Sequence, residues 1–262
     1  MGTVKNRMQR LGIIARGMMG NLSCTIYVYM VRKDFGMRRK WLILYISFTI
    51  LPATLSPSML SQSYTYLALG DSYTIGEGVP VAENFPYQTI QLLRKSGHDF
   101  HAAEIVAKTG WTTDELRKGI DTTLLKNQYD MVTLLIGVNN QYRGRSVQEY
   151  EGEFDSLLKQ AIQFAGNNPA HVFVLSIPDW GVTPFAEGRD RQQIADEIDQ
   201  YNTTNKSVAE KYQVHYIDIT PGTREALRDR TLLAADNLHP SGKEYGFWAT
   251  QLAAGIENEL HH

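Results

Sequence analysis

The chain has 262 residues, a formal net charge of −2 and 43% hydrophobic residues, enough for one domain with a sizeable core and too little for two large ones. The near-neutral balance gives no electrostatic reason to expect nucleic acid as a partner. A single cysteine, Cys24, excludes an intrachain disulfide and any Cys-rich metal site, and the seven histidines form no metal-ligand spacing, so neither a metal nor a cofactor is expected.

The first segment to interpret is basic and then apolar. Met37-Arg38-Arg39-Lys40 precedes residues 41–55, an almost wholly apolar run, and small residues follow in SPSMLSQS. That order describes a secretory signal peptide, with export to the periplasm or medium. A membrane anchor is the alternative, but the run is short for a span of roughly 20 residues, and Pro52 and Pro57 interrupt it. Residues 1–36 then read as an upstream extension before a true start at Met37, residues 37–63 as signal and short linker, and residues 64–262 as the folded domain. Cys24 does not mark a lipoprotein, because Asn21 holds the position that is usually aliphatic.

From Tyr64 onward, apolar β-runs alternate with helical patterns. Residues 64–70, 104–108, 131–137, 172–177 and 214–219 are short and rich in Val, Ile and Leu, as expected of strands buried on both faces. One helix carries Tyr150, Phe154, Leu157, Leu158, Ala161, Ile162 and Ala165 at helical spacing, opened by Ser146 and Glu149 as a capping box. Thr112 and Glu115 open another in the same manner; a third spans about residues 190–212 and a last about 241–260. Strand–helix alternation about five times over predicts a three-layer α/β/α, doubly wound, flavodoxin-like parallel sheet. The expected strand order is 2-1-3-4-5, with a site outside the carboxyl ends of the strands, at the switch between the first and third.

Four stretches at strand ends carry candidate chemistry. Gly70-Asp71-Ser72-Tyr73 follows the first strand and puts an exposed serine at the crevice mouth; alone it is also an ordinary turn. No Gly-x-Ser-x-Gly elbow occurs, which disfavours an α/β-hydrolase. Thr109-Gly110-Trp111 follows the second strand, and Gly137-Val138-Asn139-Asn140 the third, where side-chain amides can donate to a substrate. In Asp236-Asn237-Leu238-His239-Pro240 the carboxylate and imidazole sit close enough in sequence to pair within one turn. Residues 220–239 are long enough to bring that loop back across the sheet. Separately each stretch is unremarkable; their convergence from several loops is the informative feature.

Together the four stretches resemble the blocks of the SGNH hydrolases, also called GDSL esterases and lipases, over residues from about 65 to the C-terminus. The resemblance implies that Ser72 is the nucleophile and that Asp236 and His239 complete its triad. It also implies an oxyanion hole built from the backbone N–H groups of Ser72 and Gly110 and the side-chain amide of Asn139. Tyr73 stands where the family usually has leucine and Asn140 where it usually has aspartate, departures that bear on substrate preference and on bonding around the third loop. The implied activity is hydrolysis of a small-molecule, lipid or sugar ester through an acyl-enzyme, without a cofactor and with no protein partner indicated. An O-acyltransferase using the same triad is the principal alternative. A flavin-binding module is disfavoured because the loop after the first strand, Asp71 to Glu77, has the wrong charge for a phosphate. A catalytically inactive carbohydrate binder is disfavoured because every catalytic position is filled. Trp111, Tyr142, Arg143, Trp180 and Phe185 lie on loops beside the expected crevice and are weaker candidates for substrate contact.

Overall fold

The structure, a computed structural model, describes residues 10–19, 22–31 and 63–261. The apolar run at 41–55 and its basic flank lie outside them. The chain divides into two compact units, Met1–Met59 and Leu60–His262. Within the first, strands β1 (Arg10–Met19) and β2 (Leu22–Val31) pair antiparallel, from Arg10↔Val31 to Met19↔Leu22. The sequence reading does not anticipate that pairing.

The second unit is built on a five-stranded parallel sheet. Its strands are β4 (Tyr66–Asp71), β6 (Glu104–Lys108), β7 (Met131–Leu135), β8 (Val172–Leu175) and β9 (His215–Ile217), in the order β6-β4-β7-β8-β9. This is the expected 2-1-3-4-5 arrangement. A short parallel pair, β3 (Ser63–Tyr64) with β5 (Asp99–Phe100), lies beside it in sequence and was not expected. Strands β4, β7 and β8 are buried at every residue, which is why they read as continuous apolar runs. The edge strands correct that expectation: β6 buries only Val106, and β9 is half-buried throughout, because one side of each has no neighbouring strand to cover it.

Helices cover both faces of the sheet. Helix α2 (Phe85–Lys95) packs on α8 (Gly242–Leu260), while α5 (Val147–Phe164) packs on both α3 (Thr113–Thr122) and α6 (Arg191–Lys211). Three shorter helices, α1 (Ser72–Ile75), α4 (Val138–Tyr142) and α7 (Thr220–Arg224), sit directly after strands. Asn84 caps α2 by accepting from Tyr87 N at 2.8 Å, and the Glu115 carboxylate accepts from Thr112 N at 2.9 Å to open α3. The Ser146 cap is half a box: its hydroxyl accepts from Glu149 N at 3.2 Å, but the Glu149 carboxylate turns to Arg145 instead. Among the described residues no helix is long and apolar enough to cross a membrane.

Candidate active site

The site lies at the carboxyl ends of β4, β6 and β7, at the switch where the chain leaves β4 toward β6 on one side and leaves its neighbour β7 toward β8 on the other. Strand β4 ends at Asp71, whose side chain caps α1 by accepting from Tyr73 N at 3.0 Å; that sharp strand-to-helix turn presents Ser72. The turn depends on Gly70, since a Cβ there would fall 2.5 Å from the Leu135 carbonyl oxygen on the adjacent strand. Ser72 is 4% exposed, so the expectation of an exposed serine is corrected: it lies at the floor of a cleft, walled by Tyr73 and His239.

The imidazole arrives from the other end of the chain. Leu233 bridges Pro240 antiparallel, with Ala234 N donating to His239 O at 2.8 Å and Ser241 N to Leu232 O at 2.8 Å, so residues 232–241 form a small closed loop. At its tip Asn237 takes a left-handed conformation (φ 59°) that asparagine tolerates better than most residues. The Asp236 carboxylate accepts from the backbone N–H groups of Leu238 and His239, each at 3.0 Å, and its second oxygen lies 2.6 Å from His239 Nδ1. His239 Nε2 is 3.0 Å from Ser72 Oγ. With Nδ1–H donated to Asp236, Nε2 keeps a lone pair that faces the Ser72 hydroxyl. Partial burial works against the Asp236 charge, but the bonds from the imidazole and the two backbone N–H groups outweigh it, and its pKa lies below the ordinary carboxylate value.

Asn139 occupies the first turn of α4. Its Nδ2 donates to Trp111 O at 3.0 Å and approaches Asp71 Oδ2 at 3.3 Å, so one side chain ties together the loops after β4, β6 and β7. Gly137, which caps α4, holds φ +134°, and a Cβ there would meet the Tyr150 ring at 2.7 Å. Burial is the main influence on Asp71, raising its pKa to about 7 against the opposing bonds from Tyr73 N and Asn139. Asn140 points elsewhere: fully buried, it accepts from Thr113 N at 3.1 Å and donates to Thr113 Oγ1 at 2.6 Å, joining α4 to the start of α3.

The cleft has a volume of about 140 Å³ and is lined by Ser72, Tyr73, Val138, Asn139, Tyr142, Trp180, Phe185, Leu238 and His239. Tyr142, Trp180 and Phe185 are therefore at the cleft, as anticipated from their loops. Trp111 and Arg143 are not part of its lining. The Trp111 indole is packed over Gly119 of α3, and Arg143 donates to Gly110 O at 2.6 Å and pairs with Glu115 at 3.2 Å. Gly110 itself adopts φ +82° in the loop after β6. Val138, Leu238 and Tyr73 were not singled out as cleft residues; each is the immediate neighbour of a named site residue, the one signal that could have found them. A larger groove of about 630 Å³, between the start of α5 and α6, holds no serine–histidine pair.

The family model for the GDSL-like lipase/acylhydrolase family matches residues 68–246. The chain belongs to the GDSL-like lipase/acylhydrolases. Membership supports ester hydrolysis as its general chemistry, and solved structures agree in fold. The psychrotrophic esterase EstA from Pseudoalteromonas sp. is 17% identical, with a TM-score of 0.58 over 76% of this chain and 100% of that one. Axe2, an acetylxylan esterase from Geobacillus stearothermophilus, is 19% identical, with a TM-score of 0.59 over 74% and 94% of the two chains. The lipase/acylhydrolase from Enterococcus faecalis is 18% identical, with a TM-score of 0.58 over 75% and 96%. No curated protein sequence matches the chain. In this GDSL-like domain the family match spans all four loops that build the cleft.

Proposed function

We propose that the protein is a serine carboxylic-ester hydrolase whose nucleophile is Ser72, with His239 as base and Asp236 as its orienting carboxylate. The observation that carries this reading is the line from Ser72 Oγ to His239 Nε2 at 3.0 Å and from His239 Nδ1 to Asp236 Oδ2 at 2.6 Å, opening on a cleft. Ser72 Oγ attacks the ester carbonyl as its proton passes to Nε2. The tetrahedral oxyanion is held by the N–H groups of Ser72 and Gly110 and by the Asn139 amide, which gives up its 3.3 Å bond to Asp71 to reach it. The carbonyl re-forms as the bond to the alkoxide breaks, and the imidazolium gives that alkoxide its proton. Water then repeats the two steps on the acyl-enzyme, releasing the acid and restoring Ser72.

The cleft is small beside the roughly 300–1,000 Å³ typical of drug-sized ligands, at about 140 Å³. It suits a short acyl group such as acetyl, and the acetylxylan specificity named for Axe2 is in keeping with that size. A panel of p-nitrophenyl esters tests it: kcat/KM should peak at acetate to butyrate. A maximum at palmitate would overturn the short-acyl reading. Partition of the acyl group to added glycerol separates a transferase from a hydrolase.

The oxyanion role of Asn139 has its own signature. Asn139→Ala should lower kcat by roughly 10²–10³ with little change in KM, because the donor acts on charge that develops in the transition state. Asn140→Ala should read mainly in stability. Truncating a buried amide with two partners costs about 1–3 kcal/mol, and chemical denaturation measures it. Greater kinetic sensitivity at Asn140 than at Asn139 would shift the donor by one residue.

We also propose that residues 37–63 are a signal segment and linker and that residues 64–262 act outside the cytoplasm. Expression from Met37 in a bacterial host should yield an exported species beginning between residues 56 and 64, read by mass spectrometry. A cytoplasmic chain that retains Met1 would rule this out.

A further inference from the structure

The mouth of the cleft carries a cation that the proposed chemistry does not use. Tyr142, Trp180 and Phe185 form one wall of the cleft, with ring centroids 5.3 Å apart for Tyr142–Trp180, 6.1 Å for Tyr142–Phe185 and 6.0 Å for Trp180–Phe185. Trp180 is the fixed member: it is buried, and its indole N–H donates to Gln141 Oε1 at 2.7 Å. Tyr142 and Phe185 are 42% and 46% exposed, so this wall runs out to solvent. Over it lies Arg189, its guanidinium 4.9 Å from the Tyr142 ring centre and 5.3 Å from that of Trp180. Its Nη2 donates to the Tyr142 hydroxyl at 3.1 Å.

No carboxylate among the described residues lies within ion-pair distance of Arg189. Glu187 and Asp190 flank it in sequence. Asp190 is committed to capping α6, accepting from Gln193 N at 3.0 Å. Of the neighbouring acids, Asp179 pairs with Arg224 at 2.9 Å and Asp236 with His239. Two other arginines are occupied: Arg191 donates to the Gly181 and Thr183 carbonyls at 2.5 and 3.0 Å, and Arg143, after α4, pairs with Glu115. A guanidinium has five N–H donors in a planar fork. Cation–π contact with two rings that stand 69° to one another, together with the bond to the Tyr142 hydroxyl, holds the guanidinium in place while leaving most of its donors without a partner among the described residues, which prepares it for a planar or tetrahedral oxyanion.

We propose that Arg189 is a specificity-determining residue that recognises an anionic group, carboxylate or phosphate, on the alcohol portion of the ester. The inference rests on the esterase reading above. A cleft of about 140 Å³ takes a short acyl group and leaves the alcohol to pass outward between Tyr142 and Phe185, under the guanidinium. Hydrogen-bonded charge pairs of this kind are worth about 1.5–3 kcal/mol, at least a tenfold effect.

The full chain and its Arg189→Ala and Arg189→Lys variants are compared on three acetate esters that differ only in the para group of the phenol: 4-acetoxybenzoate, 4-acetoxyphenyl phosphate and the neutral 4-acetoxybenzamide. Taking the ratio of wild type to variant for each ester cancels its intrinsic reactivity. Arg189→Ala should lower kcat/KM about tenfold or more on one or both anionic esters and less than twofold on the amide, with part of the loss restored in Arg189→Lys. Added salt should shrink the wild-type preference. A loss confined to one anionic ester identifies whether carboxylate or phosphate is the group recognised. Equal losses on all three esters would mean that Arg189 only props the aromatic wall and would overturn the proposal. If wild type cleaves none of the three, the esterase reading fails first.

Discussion

Ser72→Ala should lower kcat by about 10⁴–10⁶-fold, the loss typical of a serine hydrolase stripped of its nucleophile. The fold should survive the change. Ser72 opens α1, and its backbone carbonyl, which accepts from Gly76 N at 3.2 Å and Glu77 N at 3.0 Å, is untouched by the substitution. The side chain's bond to His239 is lost at a cost of about 1 kcal/mol, and the freed Nε2 still faces a cleft that water can enter. Thermal unfolding should therefore shift by only a few degrees. A fluorophosphonate probe should label Ser72 in the native protein and nothing in the variant. Activity within tenfold of wild type would assign the nucleophile to another residue.

His239→Ala should be nearly as damaging, about 10⁴–10⁶-fold in kcat, because among the described residues no other side chain hydrogen-bonds Ser72 Oγ. In the wild type, kcat/KM should fall toward acid as the imidazole gains a proton at Nε2 and loses the lone pair it needs. Two carboxyls bear on how that limb is assigned. Asp236, held below the ordinary carboxylate value, stays ionised wherever a histidine titrates. The stability it contributes is present above the ordinary carboxylate range and is lost only in stronger acid, as pH falls through its lowered pKa. Asp71 behaves in the opposite sense. Burial raises it to about 7, so the folded protein favours its neutral form. Its effect on stability is most favourable below the ordinary carboxylate range and declines as pH climbs toward 7. Asp71 thus loses its proton near neutrality and sits beside Asn139. The discriminating variant is Asp71→Asn: the acid limb should persist if it belongs to His239. Its disappearance would transfer the limb to Asp71.

The sequence was most legible where one strand decided its own fate. Leu67 to Leu69, Met131 to Leu135 and Val172 to Leu175 are buried on both faces, and their composition says so directly. Helix α2 was missed because its inner face mixes Phe85, Ile90 and Leu93 with Pro86 and Thr89, whose hydroxyl returns to the Phe85 carbonyl at 2.7 Å. Proline in the first turn and a satisfied threonine hide the apolar stripe. At the site, Asp236 and His239 were readable because one loop carries both. The Asn139–Asp71–Trp111 contact and the cation–π contact of Arg189 with Tyr142 were not, since each joins residues far apart in the chain. Trp111 shows the converse: a tryptophan beside Gly110, expected near the crevice, is packed onto Gly119.

On the proposed triad, the loop that closes at Leu233 and Pro240 is what brings the base to the nucleophile. Ser72 and His239 are separated by 167 positions, and Asp236 and His239 both follow the last strand of the sheet. A polypeptide translated only as far as Arg230 already contains all five strands of the sheet and the serine. It has no base. Helix α8 follows that loop, and its Trp248 ring lies 6.5 Å from the Tyr73 ring and 6.1 Å from Phe85, packing the helix against α1 and α2. On the proposed triad, a chain truncated at Arg230 carries the nucleophile and should be inert toward esters.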